Sequence, residues 1–259
     1  MIVVKIGGNI IDDEEALQYF LKDFSAINVP KILIHGGGKI ATQMSKDLGM
    51  KPQMIEGRRV TDAETLKVVT MVYAGLINKN IVAGLQKNAC DAVGLTGADG
   101  HVMIAKKREH PTINFGYIGH IQKVNTDILN ILLNNNFTPV IVPITYDGHG
   151  GLLNTNADDI ASHIAIAMSK LQDITFFYCF EKKGLLLDIN DENSFISTIK
   201  TNEIQSLKDE GIITDGMIPK VDNIKYSIEN GVQKVILCHA SDILDIINNN
   251  SEKGTTFTL

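Results

Sequence analysis

An α/β fold on a mainly parallel sheet covered on both faces is what this sequence predicts, on three observations. Short runs rich in Val and Ile recur along the 259 residues, longer segments of helical period separate them, and the runs are near-continuously apolar instead of alternating. Strands buried on both faces between crossover helices read this way. With 44% hydrophobic residues the chain can bury a large core, as one large domain or as two lobes sharing a sheet.

The strands are expected at residues 2–6, 31–35, 92–95, 139–144, 174–179 and 232–238. After the first strand, residues 14–27 place Leu17, Phe20, Leu21 and Phe24 on one helical stripe, stopped by Asn28-Val29-Pro30. The second strand runs into His35-Gly36-Gly37-Gly38 and a helix over 39–48. Thr61-Asp62-Ala63-Glu64 reads as a capping box, with Thr61 as the cap of a long helix toward Leu85. Residues 101–107 and 117–123 read as an antiparallel hairpin. Three glycines, an Asp, a His and two Asn crowd residues 145–156, after a strand end, where α/β proteins place chemistry. A helix over 160–171 follows, with Asn156 as its cap and Asp159 as its first-turn acid. The Asp- and Asn-rich stretch 188–194 reads as an exposed turn, and a further helix runs from Lys220 to Asn230, closed by Gly231. Residues 1–172 are expected to form one lobe and 173–259 a smaller second one.

Three cysteines, Cys90, Cys179 and Cys238, each lie in or beside an apolar segment and fit neither a disulfide framework nor a CxxC pair, which points to a reducing compartment. The net charge of −6, with Lys106-Lys107-Arg108 as the one tight basic run, gives no footprint for nucleic acid. No uninterrupted apolar run reaches the roughly 18 residues of a bilayer span, and the N-terminus lacks the pattern of a secretory signal. A cytoplasmic protein without a membrane partner is expected.

The chemistry is written in glycines and lysines. Gly7-Gly8 and Gly36-Gly37-Gly38 end two strands, so backbone N–H groups can approach an anion unobstructed, the second set at a helix start. Neither run makes a GxGxxG fingerprint, and Gly38-Lys39 is followed by Ile40 where a P-loop needs Ser or Thr. Lys5 interrupts the most apolar strand, so its ammonium needs an anion at the strand end or a route to solvent. Lys220 follows a turn-rich approach to a helix. Of Arg58 and Arg59, one suits a substrate carboxylate and the other is a solvated neighbour; spacing does not choose between them. Asn154 and Asp158 are left over from the capping arrangement. No histidine spacing supports zinc, so the metal-ligand expectation is none.

With these residues in view, the chain resembles the acetylglutamate kinases of arginine biosynthesis, within the amino-acid kinase superfamily. The markers are Lys5-Ile6-Gly7-Gly8, His35-Gly36-Gly37-Gly38, Gly57-Arg58-Arg59-Val60-Thr61, Asn154-Thr155-Asn156-Ala157-Asp158, and Gly211 to Met217 followed by Lys220. The resemblance implies a three-layer αβα sandwich of carbamate kinase-like fold and ATP-dependent phosphorylation of the side-chain carboxylate of N-acetyl-L-glutamate. It implies that Lys5 and Lys220 stabilise the transferring phosphoryl group, that Asp158 orients those lysines, and that the Gly8 N–H helps hold phosphoryl oxygens. Gly37, Gly38, Arg59 and Asn154 match acceptor-binding positions, with Arg59 on the α-carboxylate. The C-terminal lobe would carry the nucleotide, with Glu181, Gly184, Asp215, Gly216 and Met217 at its site and Mg²⁺ accompanying the ATP. A homodimer through the N-terminal lobe is implied as well.

The reaction suits the residues. A glutamate-type carboxylate, with a pKa near ~4.3, is already ionised at neutral pH, so no general base is needed. Cations and oriented N–H groups that offset repulsion from the γ-phosphate are needed instead. Three departures stand beside the resemblance. Relatives commonly carry an Asp before the nucleotide-side glycine, where this chain reads Phe177-Tyr178-Cys179-Phe180-Glu181-Lys182-Lys183-Gly184; the ending Gly254-Thr255-Thr256 lacks the usual Arg or Gln; and no extra helix precedes the first strand, so arginine feedback is not expected. An N-succinyl acceptor, with one more carboxylate to be met by Arg58, Lys107 or Arg108, is the alternative substrate. A kinase of aspartate or carbamate and a non-catalytic sensor of the same fold are the competing classes.

Overall fold

Parallel pairing starts at the N-terminus, where strand Ile2–Ile6 takes strand Thr175–Phe180 as its neighbour, with Lys5 opposite Tyr178 and Ile6 opposite Cys179. The computed structural model describes residues 1–55, 58–188, 190–191, 193–214, 216–249 and 253–259. Gly57 and Asp215 lie outside the described residues. The chain divides into two compact units, Met1–Ile32 with Ala161–Leu259, and Leu33–Ile160. This division differs from the expected boundary at 172/173, because the first strand pairs with Thr175–Phe180 and the first helices go with it.

In the first unit the strands run in the order Thr198–Lys200, Thr255–Thr258, Lys234–His239, Thr175–Phe180, Ile2–Ile6. All neighbours are parallel except Lys234–His239 with Thr255–Thr258. Ile2–Ile6 is buried throughout and Thr175–Phe180 from Phe176 on, as their apolar runs require. Helix Glu14–Ser25 buries Phe20, Leu21 and Phe24, and Asp13 caps it by accepting from the Ala16 N–H at 3.0 Å. Each such side chain contributes about 1.5–3 kcal/mol by leaving water. At the helix's other end the buried Lys31 ammonium donates to the carbonyls of Phe24 (2.8 Å), Ser25 (3.0 Å) and Ile27 (2.7 Å). A cation there satisfies carbonyls the helix leaves over and opposes the negative end of its dipole.

In the second unit Leu33–His35, the end of strand Lys31–His35, pairs in parallel with Thr138–Ile141, and that strand with Ala92–Leu95. The expected strand over 139–144 is broken at Val142-Pro143: Ile144–Tyr146 leaves for a separate four-stranded sheet, in the order Leu152–Asn154, Ile144–Tyr146, Met103–Lys107, Gly119–Val124. The predicted hairpin is the antiparallel pair Met103–Lys107 with Gly119–Val124.

The long helix is continuous from Ala63 to Lys87, but its middle, Met71–Ile77, is a π-helix between Ala63–Thr70 and Asn78–Lys87. By length and composition this is the one helix among the described residues apolar enough to cross a bilayer, and half of its most apolar window is buried inside the protein. Its cap is Asp62, which accepts from the Thr65 N–H at 2.8 Å, and not Thr61 as the capping-box pattern suggests. Thr61 is instead bridged to Gly116, and its hydroxyl donates to the Arg59 carbonyl at 2.8 Å.

Candidate active site

The first unit brings a set of predicted residues to the carboxyl ends of two adjacent strands. Lys5 is buried near the end of Ile2–Ile6, its ammonium 5.7 Å from the ring centroid of Tyr178. Beyond it the Gly7 N–H donates to the Cys179 carbonyl at 2.8 Å, and Gly8 opens the short helix Gly8–Asp12 with free space where its Cβ would be. The N–H groups of a first helical turn have no partner within the helix, which suits them to anionic oxygen. Asn9, the next residue, donates its side-chain amide to Glu181 Oε1 at 2.7 Å. Glu181 is therefore tied to the Gly8 turn, a contact the sequence does not announce.

Glu181 also lines a cavity of about 570 Å³, together with Gly184, Leu186, Gly216, Met217 and Lys220. Four of the expected nucleotide residues and one of the expected catalytic lysines thus share one cavity, while Asp215 lies outside the described residues. Lys220 stands in the first turn of helix Ile218–Glu229, with its ammonium on the Gly216 carbonyl at 3.2 Å. Leu185 and Leu187 extend the apolar lining, and Lys182 and Asp188 supply further charge. Apolar walls with a few polar groups are what a planar base and a polyphosphate need. Gly184 has a packing reason as well, since a Cβ there would meet the Thr255 hydroxyl and the Thr255 backbone nitrogen. Thr255 in turn accepts from the Leu185 N–H at 2.8 Å and so ties the chain's end to the segment that carries Leu185.

The second unit gathers Gly37, Gly38, Arg59 and Asn154. Gly37, at φ +140°, precedes helix Gly38–Asp47, and a Cβ on it would run into Ile77 Cδ1 and lie 3.5 Å from the Tyr73 ring. Arg59 is 6% exposed; its Nη2 donates to the Gly38 carbonyl (2.9 Å) and to Thr42 Oγ1 (2.7 Å), and its Nη1 is buried with no hydrogen-bond partner. Arg58 has the other fate, pairing with Asp159 at 3.1 Å. Arg58 is thus ion-paired and not merely a solvated neighbour, while Arg59 is the buried one of the two. Asn154, also buried, donates to Thr61 Oγ1 at 3.0 Å, and Thr61 donates on to the Arg59 carbonyl. Asp158 is the second residue of helix Ala157–Ser169, and its N–H donates to Asn156 Oδ1 at 2.7 Å, as the capping pattern predicts.

His35 is fully buried, and burial pushes its pKa down to about 4. A neutral ring follows, with Nδ1 donating to the Gly36 carbonyl (2.8 Å) and Nε2 accepting from the Asn78 amide (3.2 Å). It anchors the triple-glycine turn. Thr42, Tyr73 and Asn78 are the neighbours of these positions that the sequence did not point to, and Thr61 was read only as a cap and as part of a marker. Thr42, one helical turn after Gly38, was the most findable. Among the described residues no group of three or more His, Cys, Asp or Glu could hold a metal ion.

Residues 1–239 match the model of the amino acid kinase family. An acetylglutamate kinase of Cytophaga hutchinsonii is 52% identical over 98% of this chain and 97% of its own length. The chain belongs to the amino acid kinase family, among the acetylglutamate kinases. An acetylglutamate kinase of Bacteroides thetaiotaomicron is 48% identical over 95% of each chain, and one of Methanopyrus kandleri is 34% identical over 95% of this chain and 97% of its own. The amino acid kinase fold is also seen in carbamate kinase from Giardia lamblia bound to AMP-PNP, with a TM-score of 0.71, 15% identity and 99% and 97% of the two chains covered. N-acetylglutamate synthase from Neisseria gonorrhoeae, complexed with coenzyme A and N-acetyl-glutamate, gives a TM-score of 0.84 at 19% identity, over 100% of this chain and 59% of that one. The three-layer sandwich expected of the amino acid kinases is thus the fold of this chain.

Proposed function

We propose that the protein phosphorylates the side-chain carboxylate of N-acetyl-L-glutamate with ATP, giving the acyl phosphate. The observation that carries this reading is Arg59, a buried guanidinium held from one side by Gly38 and Thr42 while Nη1 has nothing to bond. A buried charged donor left unpaired costs on the order of 1–3 kcal/mol or more, which a substrate carboxylate offsets through a charge-assisted hydrogen bond. In this reading Arg59, Asn154 and the Gly37-Gly38 turn hold the acceptor. The cavity around Met217 and Leu185 takes the nucleotide, Lys5, Lys220 and the Gly8 turn neutralise the transferred phosphoryl group, and Asp158 orients the lysines. Mg²⁺ arrives with the nucleotide, and phosphate and water oxygens supply much of its shell.

Two further assignments belong to the same reading. Two copies associate through the N-terminal lobe, where Met71 and Leu76 expose apolar surface on one helix that a second copy would cover; light scattering at a monomer mass refutes it. The enzyme works in the cytoplasm, where the buried free thiols Cys90, Cys179 and Cys238 stay reduced.

The functional test is a hydroxylamine trap of the acyl phosphate formed from ATP and N-acetylglutamate, with Lys220→Ala and Arg59→Met alongside. Lys220→Ala lowers kcat at least a hundredfold with acceptor affinity nearly intact, and Arg59→Met raises the acceptor KM at least tenfold. Unchanged acceptor affinity in Arg59→Met refutes the assignment. The same transfer to N-succinylglutamate has one observation in its favour. Arg108 Nε is buried without a hydrogen-bond partner, just past strand Met103–Lys107, and the Arg108 backbone N–H donates to Ile118, which is itself bridged to Asn154. Side-by-side kinetics decide: a kcat/KM tenfold higher for the succinyl compound, about 1.4 kcal/mol, selects it.

A further inference from the structure

Tyr73 belongs to none of the sequence motifs, yet it stands where two acceptor positions meet. It lies in the π-helical turn Met71–Ile77, where the Asn78 N–H reaches back five residues to the Tyr73 carbonyl. Such turns are rare inside α-helices and concentrate at functional sites, because the regular ladder is given up for a particular side-chain placement. Here the turn carries Val72, Tyr73, Ile77 and Asn78 inward together. The Tyr73 ring and Ile77 Cδ1 form the wall against Gly37, and Asn78 meets His35. Tyr73 is 6% exposed. Burial raises the pKa of its phenol, and the Arg59 guanidinium beside it pulls part of that rise back, so the phenol is neutral across the physiological range.

We propose that Tyr73 is a positioning residue for the acceptor, fixing the direction in which Arg59 presents its unbonded Nη1. The inference rests on the proposed function, in which that nitrogen meets the acceptor's α-carboxylate. Arginine offers five N–H donors on one rigid plane, so fixing one edge and backing the opposite side sets where the remaining donors point. Gly38 and Thr42 fix the Nη2 edge, and Tyr73 stands beside the guanidinium, its ring also closing the Gly37 turn. Deleting only the phenol oxygen leaves the wall intact and frees the guanidinium to rotate. A residue that merely filled the core would respond to loss of the ring and not to loss of the oxygen.

The experiment is calorimetric titration of wild type and Tyr73→Phe with N-acetylglutamate, together with acceptor and ATP kinetics. The acceptor Kd and KM are expected to rise about tenfold in Tyr73→Phe while the ATP KM stays within twofold, with the loss carried by KM and not by kcat. Arg59→Lys and the double variant complete a cycle, in which the two losses are expected to be non-additive. Wild-type binding with an unaffected Tyr73→Phe overturns this inference alone, and additive losses in the cycle overturn it too. A wild type that takes no N-acetylglutamate overturns the proposed function beneath it. If Tyr73→Phe does not fold, Thr42→Val, at the Nη2 edge, is titrated instead. A tenfold weaker acceptor supports the account of a guanidinium whose direction is set by its neighbours, and an unchanged one overturns it.

Discussion

Replacing Gly37 by alanine tests the turn before helix Gly38–Asp47 most directly, because two separate penalties act there and can be separated. The first is conformational: Gly37 sits at φ +140°, a region an L-residue enters only at about 1–2 kcal/mol or more. The second is steric, since the new Cβ would fall well inside van der Waals contact with Ile77 Cδ1, and overpacking a closed core costs about 1–3 kcal/mol. Gly37→Ala should therefore lose about 2–5 kcal/mol, read from the urea midpoint at constant m-value. Ile77→Ala alone costs about 2–5 kcal/mol through the cavity it leaves. In the double variant the overlap disappears and the backbone term stays, so the two losses should fall short of additivity by about 1–3 kcal/mol. A Gly37→Ala protein within about 0.5 kcal/mol of wild type, or strict additivity in the cycle, refutes the argument.

Two further stability effects follow from buried groups. His35 titrates near 4 in the fold against 6.5 in the unfolded chain, so the fold favours the neutral ring. Its contribution is intact above pH 6.5 and is lost as pH falls toward 4, about 3 kcal/mol at 1.36 kcal/mol per unit. The stability gap between wild type and His35→Gln should narrow by that amount across the window, and a constant gap refutes it. Lys31→Met removes the ammonium from three carbonyls and should cost about 2–4 kcal/mol in urea unfolding, whereas a cost under about 0.5 kcal/mol would mean that water replaces it.

The strands were largely legible because a doubly covered strand leaves a continuous apolar run, and Ile2–Ile6, Lys31–His35 and Ala92–Leu95 lie where that run places them. The run over 139–144 misled because Val142 and Pro143 are as apolar as their neighbours. Only the tertiary fold shows that Pro143, which has no N–H to offer a sheet, marks the switch from one sheet to the next. Local capping was half readable: Asn156 caps as expected, but next to Thr61 the equally competent Asp62 takes the role, leaving the threonine to join Asn154 to Arg59. Spacing alone did not separate Arg58 from Arg59, and only the family resemblance singled out Arg59. Their different partners, Asp159 for the one and Thr42 and Gly38 for the other, lie up to 101 positions away in sequence. The π-turn was invisible for a similar reason, since the local sequence of Met71–Ile77 carries no mark of a wider winding, and its contacts are with Gly37 and His35 far back in the chain.

That wider winding makes chain length itself a constraint. A π-turn holds one residue more than the α-helical turn it replaces. Were Met71–Ile77 to rewind as regular α-helix at the same length, every later residue would turn by about 100° about the axis and advance by about 1.5 Å. Asn78, Ile81 and Leu85 would change direction together, away from His35 and the interior they now face. For this stretch of chain the phase of the winding, and not only the side chains, decides which residues face inward.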